Sequence, residues 1–96
     1  MGNPKRNVDA FVHAVDTSHP QFVSAVGRAF SLLRCFEHGE QYLGNQEFAR
    51  QTGLPKPTVS RLTYTLAALG YLEYWPKLEK YSLGTAVLAL SHAYMK

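Results

Sequence analysis

The fold is decided by residues 45–69, which read NQEFARQTGLPKPTVSRLTYTLAAL. Asn45 can cap a helix over 46–51, because its side chain accepts a hydrogen bond from a free N–H of the first turn. Gly53 then supplies a tight turn. Pro57 suits the first turn of a further helix, where a missing N–H costs nothing. Two short helices joined by a small turn that contains glycine predict a helix-turn-helix unit.

The second helix of this unit, over about 56–69, has two different sides at about 100° per residue. The inner side is formed by Val59, Leu62, Leu66 and Leu69. The outer side is formed by Pro57, Ser60, Arg61, Tyr64 and Ala68. The outer side has no carboxylate, which would repel phosphate, and it offers a guanidinium and two hydroxyls. We therefore expect this recognition helix to lie in the major groove of duplex DNA, which is wide enough to admit it.

A β-hairpin is predicted directly after the recognition helix. Residues 71–75 are aromatic and roughly alternating, which favours a strand, and 80–83 return as a second strand after a turn at 76–79. The aromatic residues can seal the hairpin against the helices or stack on single-stranded bases, and sealing is the commoner use. The predicted fold class is mainly α with a small β-hairpin, a winged helix-turn-helix over 21–84. Its wing, about 75–80, is expected on the DNA backbone or in the minor groove.

The flanking segments complete this domain. A helix is expected from near Phe22 to Gly39, with the glycine just past its end. Residues 42–43 leave room for a stub of strand. A last helix opens at Thr85 and reaches Lys96 without a stop signal, so we expect the natural chain to continue beyond 85–96.

Residues 1–20 are interpreted as an N-terminal arm. Within it Val8, Phe11, Val12 and Val15 recur at the spacing of one helix face. A short helix must hide such a stripe to be stable. Two interpretations stay open at this point: a frayed tail, or a short helix that docks on the domain or on a second copy.

The candidate DNA-binding residues lie on the recognition helix and the wing. They are Lys56, Pro57, Thr58, Ser60, Arg61, Tyr64, Lys77 and Lys80. Arg61 can make two parallel hydrogen bonds to guanine O6 and N7 or can hold a phosphate. The hydroxyls of Ser60 and Tyr64 can reach a phosphate or a base edge. An ordinary solvated helix face would have a similar composition, so the residues alone leave both interpretations open.

Composition narrows the function classes. The 96 residues carry a formal net charge of +3, a mild lean toward polyanions, and no apolar run approaches a membrane span. The single cysteine, Cys35, suits a cytoplasmic protein and is expected in or beside the core. The four histidines lack metal-ligand spacing. We expect no metal site, no cofactor and no catalytic activity.

The sequence from Val26 onward resembles the N-terminal domain of the IclR family of bacterial transcription regulators. The resemblance is carried by VGRAFSLL at 26–33, EFARQTGLPKPTVSRL at 47–62, TL at 65–66, LGYL at 69–72 and YSLG at 81–84. It covers about three quarters of the chain. Three positions depart from the family pattern. Ala25 and Pro57 stand where Ser is usual, and Thr63 stands where a second Leu often follows. Pro57 removes a hydroxyl from the outer side, and Thr63 is expected to loosen the packing beside the inner side.

The resemblance also implies partners. Members of the family are expected to act as homodimers on palindromic double-stranded DNA operators, and to sense a small-molecule effector through a C-terminal domain. Residues 85–96 would begin the linker helix toward that domain, which these 96 residues do not include. The alternative function is a winged-helix protein-interaction or dimerisation module, because a fold does not fix a function.

Overall fold

The computed structural model describes residues 15–96, and it confirms a mainly helical chain with a small hairpin. The helices and strands are α1 (Ser24–Arg34), a 3₁₀ turn (Cys35–His38), α2 (Asn45–Thr52), α3 (Lys56–Ala68), β1 (Leu72–Trp75), β2 (Lys80–Leu83) and α4 (Thr85–Met95). Helix α1 packs on α2 and α3, and α3 packs on β1. No helix among residues 15–96 is long and apolar enough to cross a bilayer.

The core lies between α1, the α2–α3 pair and the hairpin. Its buried apolar side chains are Leu32, Cys35, Phe36, Leu43, Phe48, Val59, Leu66 and Leu72. The rings of Phe36 and Phe48 meet edge to face with centroids 5.8 Å apart, a favoured aromatic geometry. Cys35 is fully buried, as expected for a core residue.

The first helical segment ends where the sequence predicts. Gly39 adopts φ 96°, a left-handed conformation that glycine reaches without strain. Helix α1 begins at Ser24, two residues later than the predicted start at Phe22. Phe22 lies outside the helix, and its ring packs so closely on Gly27 that a Cβ there would lie 2.8 Å from the ring.

The helix-turn-helix unit forms as predicted except at its first cap. Helix α2 begins at Asn45, so its N-cap is Gly44 and not Asn45. The Oε1 of Glu47 accepts a hydrogen bond from the Gly44 N–H at 2.6 Å and thereby fixes this end of the helix. At the other end Gly53 adopts φ 76°, which provides the tight turn before α3.

The inner side of α3 is rotated from its predicted position. Val59 and Leu66 are buried and Leu62 is half-buried, but Leu69 is 63 % exposed. Thr63, which was not placed on the inner side, is fully buried. Its hydroxyl lies 3.2 Å from Oδ1 of Asn45 and 3.1 Å from the main-chain oxygen of Ser60. A hydroxyl with partners of this kind can be buried at little cost, so the helix turns toward Thr63 and away from Leu69.

The hairpin is antiparallel and is tied into the domain. Leu72 pairs with Leu83 and Trp75 with Lys80. Leu43 bridges to Tyr81 through hydrogen bonds of 2.9 and 2.8 Å, which confirms the predicted stub of strand. The aromatic side chains contact one another and the helices: the rings of Tyr74 and Tyr81 lie 4.9 Å apart and those of Tyr81 and Phe48 6.3 Å apart. Tyr71 and Tyr81 are half-buried against the core, whereas Tyr74 and Trp75 are exposed.

The chain leaves the hairpin through a close backbone crossing. Gly84 donates to the Tyr71 oxygen at 2.9 Å, and Ala86 donates to the Gly70 oxygen at 3.1 Å. These bonds hold the start of α4 beside the end of α3. No residue of α4 is buried.

Residues 15–20 are exposed, and Asp16 accepts hydrogen bonds from Ser18. The helix predicted over 8–15 lies, apart from Val15, outside the described residues. The boundaries at residues 20 and 84 therefore stay a prediction.

Candidate nucleic-acid interface

The outer side of α3 is exposed along its whole length. Pro57, Ser60, Arg61, Tyr64 and Ala68 are all exposed, as predicted. Helix α3 is held in this orientation by the burial of Val59, Thr63 and Leu66 on its opposite side. The structure therefore brings these predicted residues together on one open face, on which Tyr64 is 75 % exposed.

The charge on this face is positive. Helix α3 contains Lys56 and Arg61 and no carboxylate. Among residues 15–96 neither cation makes an ion pair within the 4.0 Å limit. An unneutralised guanidinium beside hydroxyl groups is suited to phosphate or to the edge of a guanine.

The first turn of α3 adds main-chain donors. Pro55 is the N-cap and Pro57 the second helical residue, so neither supplies an N–H. Lys56 and Thr58 remain, and their amide groups are among those that have no acceptor within a helix. Lys56 is exposed and Thr58 is half-buried. This end of α3 can therefore bind an anion through its backbone and the positive end of the helix dipole.

The wing is less uniformly basic than the recognition helix. Lys77 is exposed in the turn between the strands, whereas Lys80 is half-buried with its Nζ 3.3 Å from Oε2 of Glu47. The wing also carries the exposed carboxylates of Glu73 and Glu79. Lys77 makes no ion pair within residues 15–96, so it is the wing cation available to a phosphate.

The carboxylate of Glu47 is held in its charged form. The Gly44 N–H, which has the largest effect, lowers the pKa of Glu47 below its ordinary value; burial opposes this shift, and the Lys80 ammonium adds to it. The charge of Lys80 is therefore partly neutralised inside the protein. The sequence did not reveal this pair, because the two residues lie on different elements with no local pattern that joins them.

One exposed cation near the site was not among the predicted contacts. Arg50 is exposed on α2, one turn after the exposed Gln46. Their spacing of four places both on one face of the helix, and this polar periodicity is the signal that could have identified them.

Potential metal ligands do not cluster in the described part of the chain. Within residues 15–96 no three His, Cys, Asp or Glu side chains lie close enough together to hold a metal ion. His13 lies outside that range.

The sequence matches known regulators. The profile of the IclR helix-turn-helix domain matches residues 25–76, more than half of the chain. The HTH-type transcriptional regulator TsaQ1/TsaQ2 of Comamonas testosteroni is 48 % identical over 68 residues, which are 71 % of this chain and 24 % of that protein. The glycerol operon regulatory protein of Streptomyces griseus is 34 % identical over 73 residues, 76 % of this chain and 29 % of that protein.

Solved structures agree with the sequence relatives. An IclR family transcriptional regulator from Brucella abortus superposes with a TM-score of 0.75 at 50 % identity, over 83 % of this chain and 31 % of that one. An IclR-type regulator from Alicyclobacillus acidocaldarius gives a TM-score of 0.67 at 29 % identity, over 71 % and 28 % of the two chains. The chain thus spans about a quarter to a third of the length of these relatives. By its matched profile and its winged helix-turn-helix fold, the chain belongs to the IclR helix-turn-helix family, the DNA-binding domains of bacterial transcription regulators.

Proposed function

We propose that this domain binds double-stranded DNA sequence-specifically to regulate transcription, with residues 56–69 in the major groove. The observation that supports the proposal most is the exposed outer side of α3, which is free of carboxylates and carries Arg61 near its middle. Because the inner side is fixed in the core, this side is presented as a rigid unit. A rigid recognition helix avoids the entropic cost of ordering a flexible segment when DNA binds.

The side chains on the outer side and at the start of α3 differ in the DNA groups that they can contact. Arg61 is assigned to a guanine edge, since its planar guanidinium matches the O6 and N7 acceptors. Tyr64 and Ser60 are assigned to base edges or neighbouring phosphates through their hydroxyls. Lys56 and the Thr58 amide are assigned to a phosphate at the start of the helix. Pro57 offers only van der Waals contact.

The wing is assigned to the DNA backbone or the minor groove beside the recognition helix. Lys77 supplies the main electrostatic contact, because Lys80 shares its charge with Glu47 at 3.3 Å. Lys80 contributes a weaker contact from the start of β2. Such contacts position a protein on the duplex without reading sequence.

A homodimer on a palindromic operator is part of the proposal. It is supported by α4, whose Leu88 and Met95 are exposed apolar side chains on the side away from the domain. A two-fold pair of domains would place two recognition helices on half-sites about one helical turn apart. The same exposed residues favour the second candidate function, a dimerisation or protein-interaction module. Access to the chromosome places the proposed activity in the cytoplasm.

A salt titration tests DNA binding itself. Fluorescence anisotropy with a labelled random-sequence duplex, at about 50 mM and about 200 mM salt, measures affinity and its salt dependence. Contacts from about three cations predict a slope of log affinity against log salt near −3, since each phosphate contact contributes about −0.9. Selection of binders from a random pool then tests specificity. Equal affinity at both salt concentrations, or a pool without an enriched site, would contradict the proposal.

A further inference from the structure

Lys80 belongs to the wing by sequence, but its side chain is held by the helix-turn-helix unit. Its Nζ lies 3.3 Å from Oε2 of Glu47 on α2. Lys77, three residues earlier in the same hairpin, is exposed and makes no ion pair within residues 15–96. The two lysines of the wing therefore meet a phosphate from different starting states, one with a carboxylate partner and one without.

The backbone at Gly44 leaves room for the ion pair. The antiparallel bridge between Leu43 and Tyr81 brings the start of β2 beside the start of α2. A Cβ at Gly44 would lie 2.8 Å from Oε1 of Glu47 and 3.6 Å from Cγ of Lys80. Because glycine has no Cβ, the carboxylate and the stem of the lysine can both lie close to this end of α2.

The carboxylate of Glu47 is fixed by the main chain. It is the acidic group of the first turn of α2, where free N–H groups form the positive end of the helix dipole. Its Oε1 accepts the Gly44 N–H at 2.6 Å, while its Oε2 faces the Lys80 ammonium. A carboxylate that caps a helix cannot follow the lysine outward, so it stays in place when the ammonium turns toward another anion.

A phosphate that approaches Lys80 must therefore also approach a negative charge. An oxygen within hydrogen-bonding distance of Nζ lies no more than about 6 Å from Oε2 of Glu47, because Nζ is itself 3.3 Å from that atom. This separation is shorter than the Debye length at physiological salt, so dissolved ions screen the repulsion only in part. The repulsion opposes the attraction to the ammonium.

We propose that Glu47 is a positioning residue that keeps Lys80 from making a full phosphate contact, and so limits the affinity of the wing for DNA. The inference rests on the proposed DNA binding and deepens it: the pair acts as a neutral unit, and Lys77 is the phosphate contact of the wing. Removal of the negative charge at position 47 adds one contact. The gain is the same for every DNA sequence, because phosphate contacts do not read bases.

Glu47→Gln tests the inference while the cap of α2 is retained. A glutamine at this position of a capping box still accepts the main-chain N–H, but its second terminal group is an NH2, which cannot accept from an ammonium. Glu73→Gln is the matched control. Glu73 is an exposed carboxylate on the same hairpin without an ion pair within residues 15–96, so its loss removes the same charge and releases no lysine. Lys80→Met, added to Glu47→Gln, shows whether Lys80 carries the gain.

Fluorescence anisotropy with a labelled random-sequence duplex, between about 50 mM and about 200 mM salt, measures affinity and its salt slope. Circular dichroism at the assay temperature checks that each variant is folded. We expect Glu47→Gln to bind about tenfold more tightly at about 50 mM salt and about threefold at about 200 mM, because one added phosphate contact steepens the slope by about 0.9. The double variant should return to the affinity and slope of wild type. Glu73→Gln should change affinity by less than about twofold.

The salt slope separates this role from a purely structural one, because a weakened cap would lower affinity without adding a contact. Salt-dependent binding by wild type with no gain for Glu47→Gln would overturn the inference and leave the proposed DNA binding intact. A gain that persists with Lys80→Met, or an equal gain for Glu73→Gln, would also overturn it, since overall charge would then be the cause. Wild-type binding that does not depend on salt would contradict the proposed function and the inference together.

Discussion

Glu47 and Lys80 join the wing to the helix-turn-helix unit: Oε2 of Glu47 lies 3.3 Å from Nζ of Lys80. The other oxygen of the same carboxylate accepts the Gly44 N–H at 2.6 Å. One side chain thus caps α2 and holds the first residue of β2. The packing of α3 on β1 and the bridge between Leu43 and Tyr81 hold the wing on the domain together with this contact.

Glu47→Gln is expected to lower the free energy of unfolding by about 1 kcal/mol, most of it from the weakened cap. The ion pair adds little, because Lys80 is partly exposed and solvent screens the attraction. Urea unfolding followed by circular dichroism measures the change. Glu73→Gln, an exposed carboxylate on β1, is the matched control and should change stability by less than about 0.5 kcal/mol. Equal effects of the two substitutions would contradict the assigned role of Glu47.

The same carboxylate predicts a dependence of stability on pH. The pKa of Glu47 is lowered in the folded state by the Gly44 N–H and by Lys80. Its stabilising contribution is therefore complete above its ordinary pKa of about 4.3 and is lost as the pH falls below that value toward the folded pKa. The stability difference between wild type and Glu47→Gln should be constant above about pH 5 and should shrink below about pH 4. A difference that grows on acidification would contradict this sign.

Thr63→Val tests the buried hydroxyl on α3. The side chain is fully buried, and its hydroxyl lies 3.2 Å from Asn45 Oδ1. The substitution keeps the shape but leaves Asn45 without this donor, so we expect a loss of about 1–2 kcal/mol in the free energy of unfolding. Thr65→Val is the matched control, because Thr65 is exposed on the same helix and bonds only to the Arg61 oxygen. Chemical denaturation measures the free energy of unfolding of both variants. An unchanged free energy of unfolding for Thr63→Val would show that the hydrogen bond of the Thr63 hydroxyl contributes nothing to stability.

Gly84→Ala tests the backbone crossing between β2 and α4. A Cβ at Gly84 would overlap the carbonyl oxygen of Gly70 and lie 2.9 Å from its carbon, and backbone atoms there cannot move aside freely. We expect a loss of more than about 2 kcal/mol in stability. At Gly39 a Cβ would meet open space, and only the positive φ is unfavourable. Gly39→Ala should therefore cost about 1 kcal/mol. Thermal unfolding compares the stability of the two variants. A larger loss of stability for Gly39→Ala than for Gly84→Ala would contradict the close backbone contact at Gly84.

Local signals were enough to predict the winged helix-turn-helix. The glycines at 39 and 53 mark the ends of helices, and the outer side of α3 follows from its periodicity. The cap of α2 was assigned wrongly, because residue preference ranks Asn45 above Gly44 while the Glu47 carboxylate decides the actual cap.

The parts that could not be predicted depend on partners distant in sequence. Thr63 is expected to loosen the packing beside the inner side, but its hydroxyl has partners in Asn45 and the Ser60 main-chain oxygen, and the side chain is fully buried. Leu69, which the apolar pattern predicts on the inner side, is 63 % exposed just past the end of α3. The pairing of Lys80 with Glu47 is likewise absent from any local pattern. Among the candidate DNA-binding residues, the sequence therefore predicted the exposed face of α3. It did not predict that Lys80 in the wing would form an ion pair with Glu47.

Arg61→Ala tests whether the outer side of α3 contacts DNA. Arg34→Ala removes the same charge from a residue that already pairs with Glu37 at 2.9 Å, so it is the matched control. Affinity for the selected duplex is measured by fluorescence anisotropy for wild type and both variants across a salt series. We expect Arg61→Ala to cost about 1–3 kcal/mol of binding free energy and to relax the preference at one base pair, while Arg34→Ala should have little effect. Equal affinities for wild type and Arg61→Ala on the selected duplex would contradict the claim.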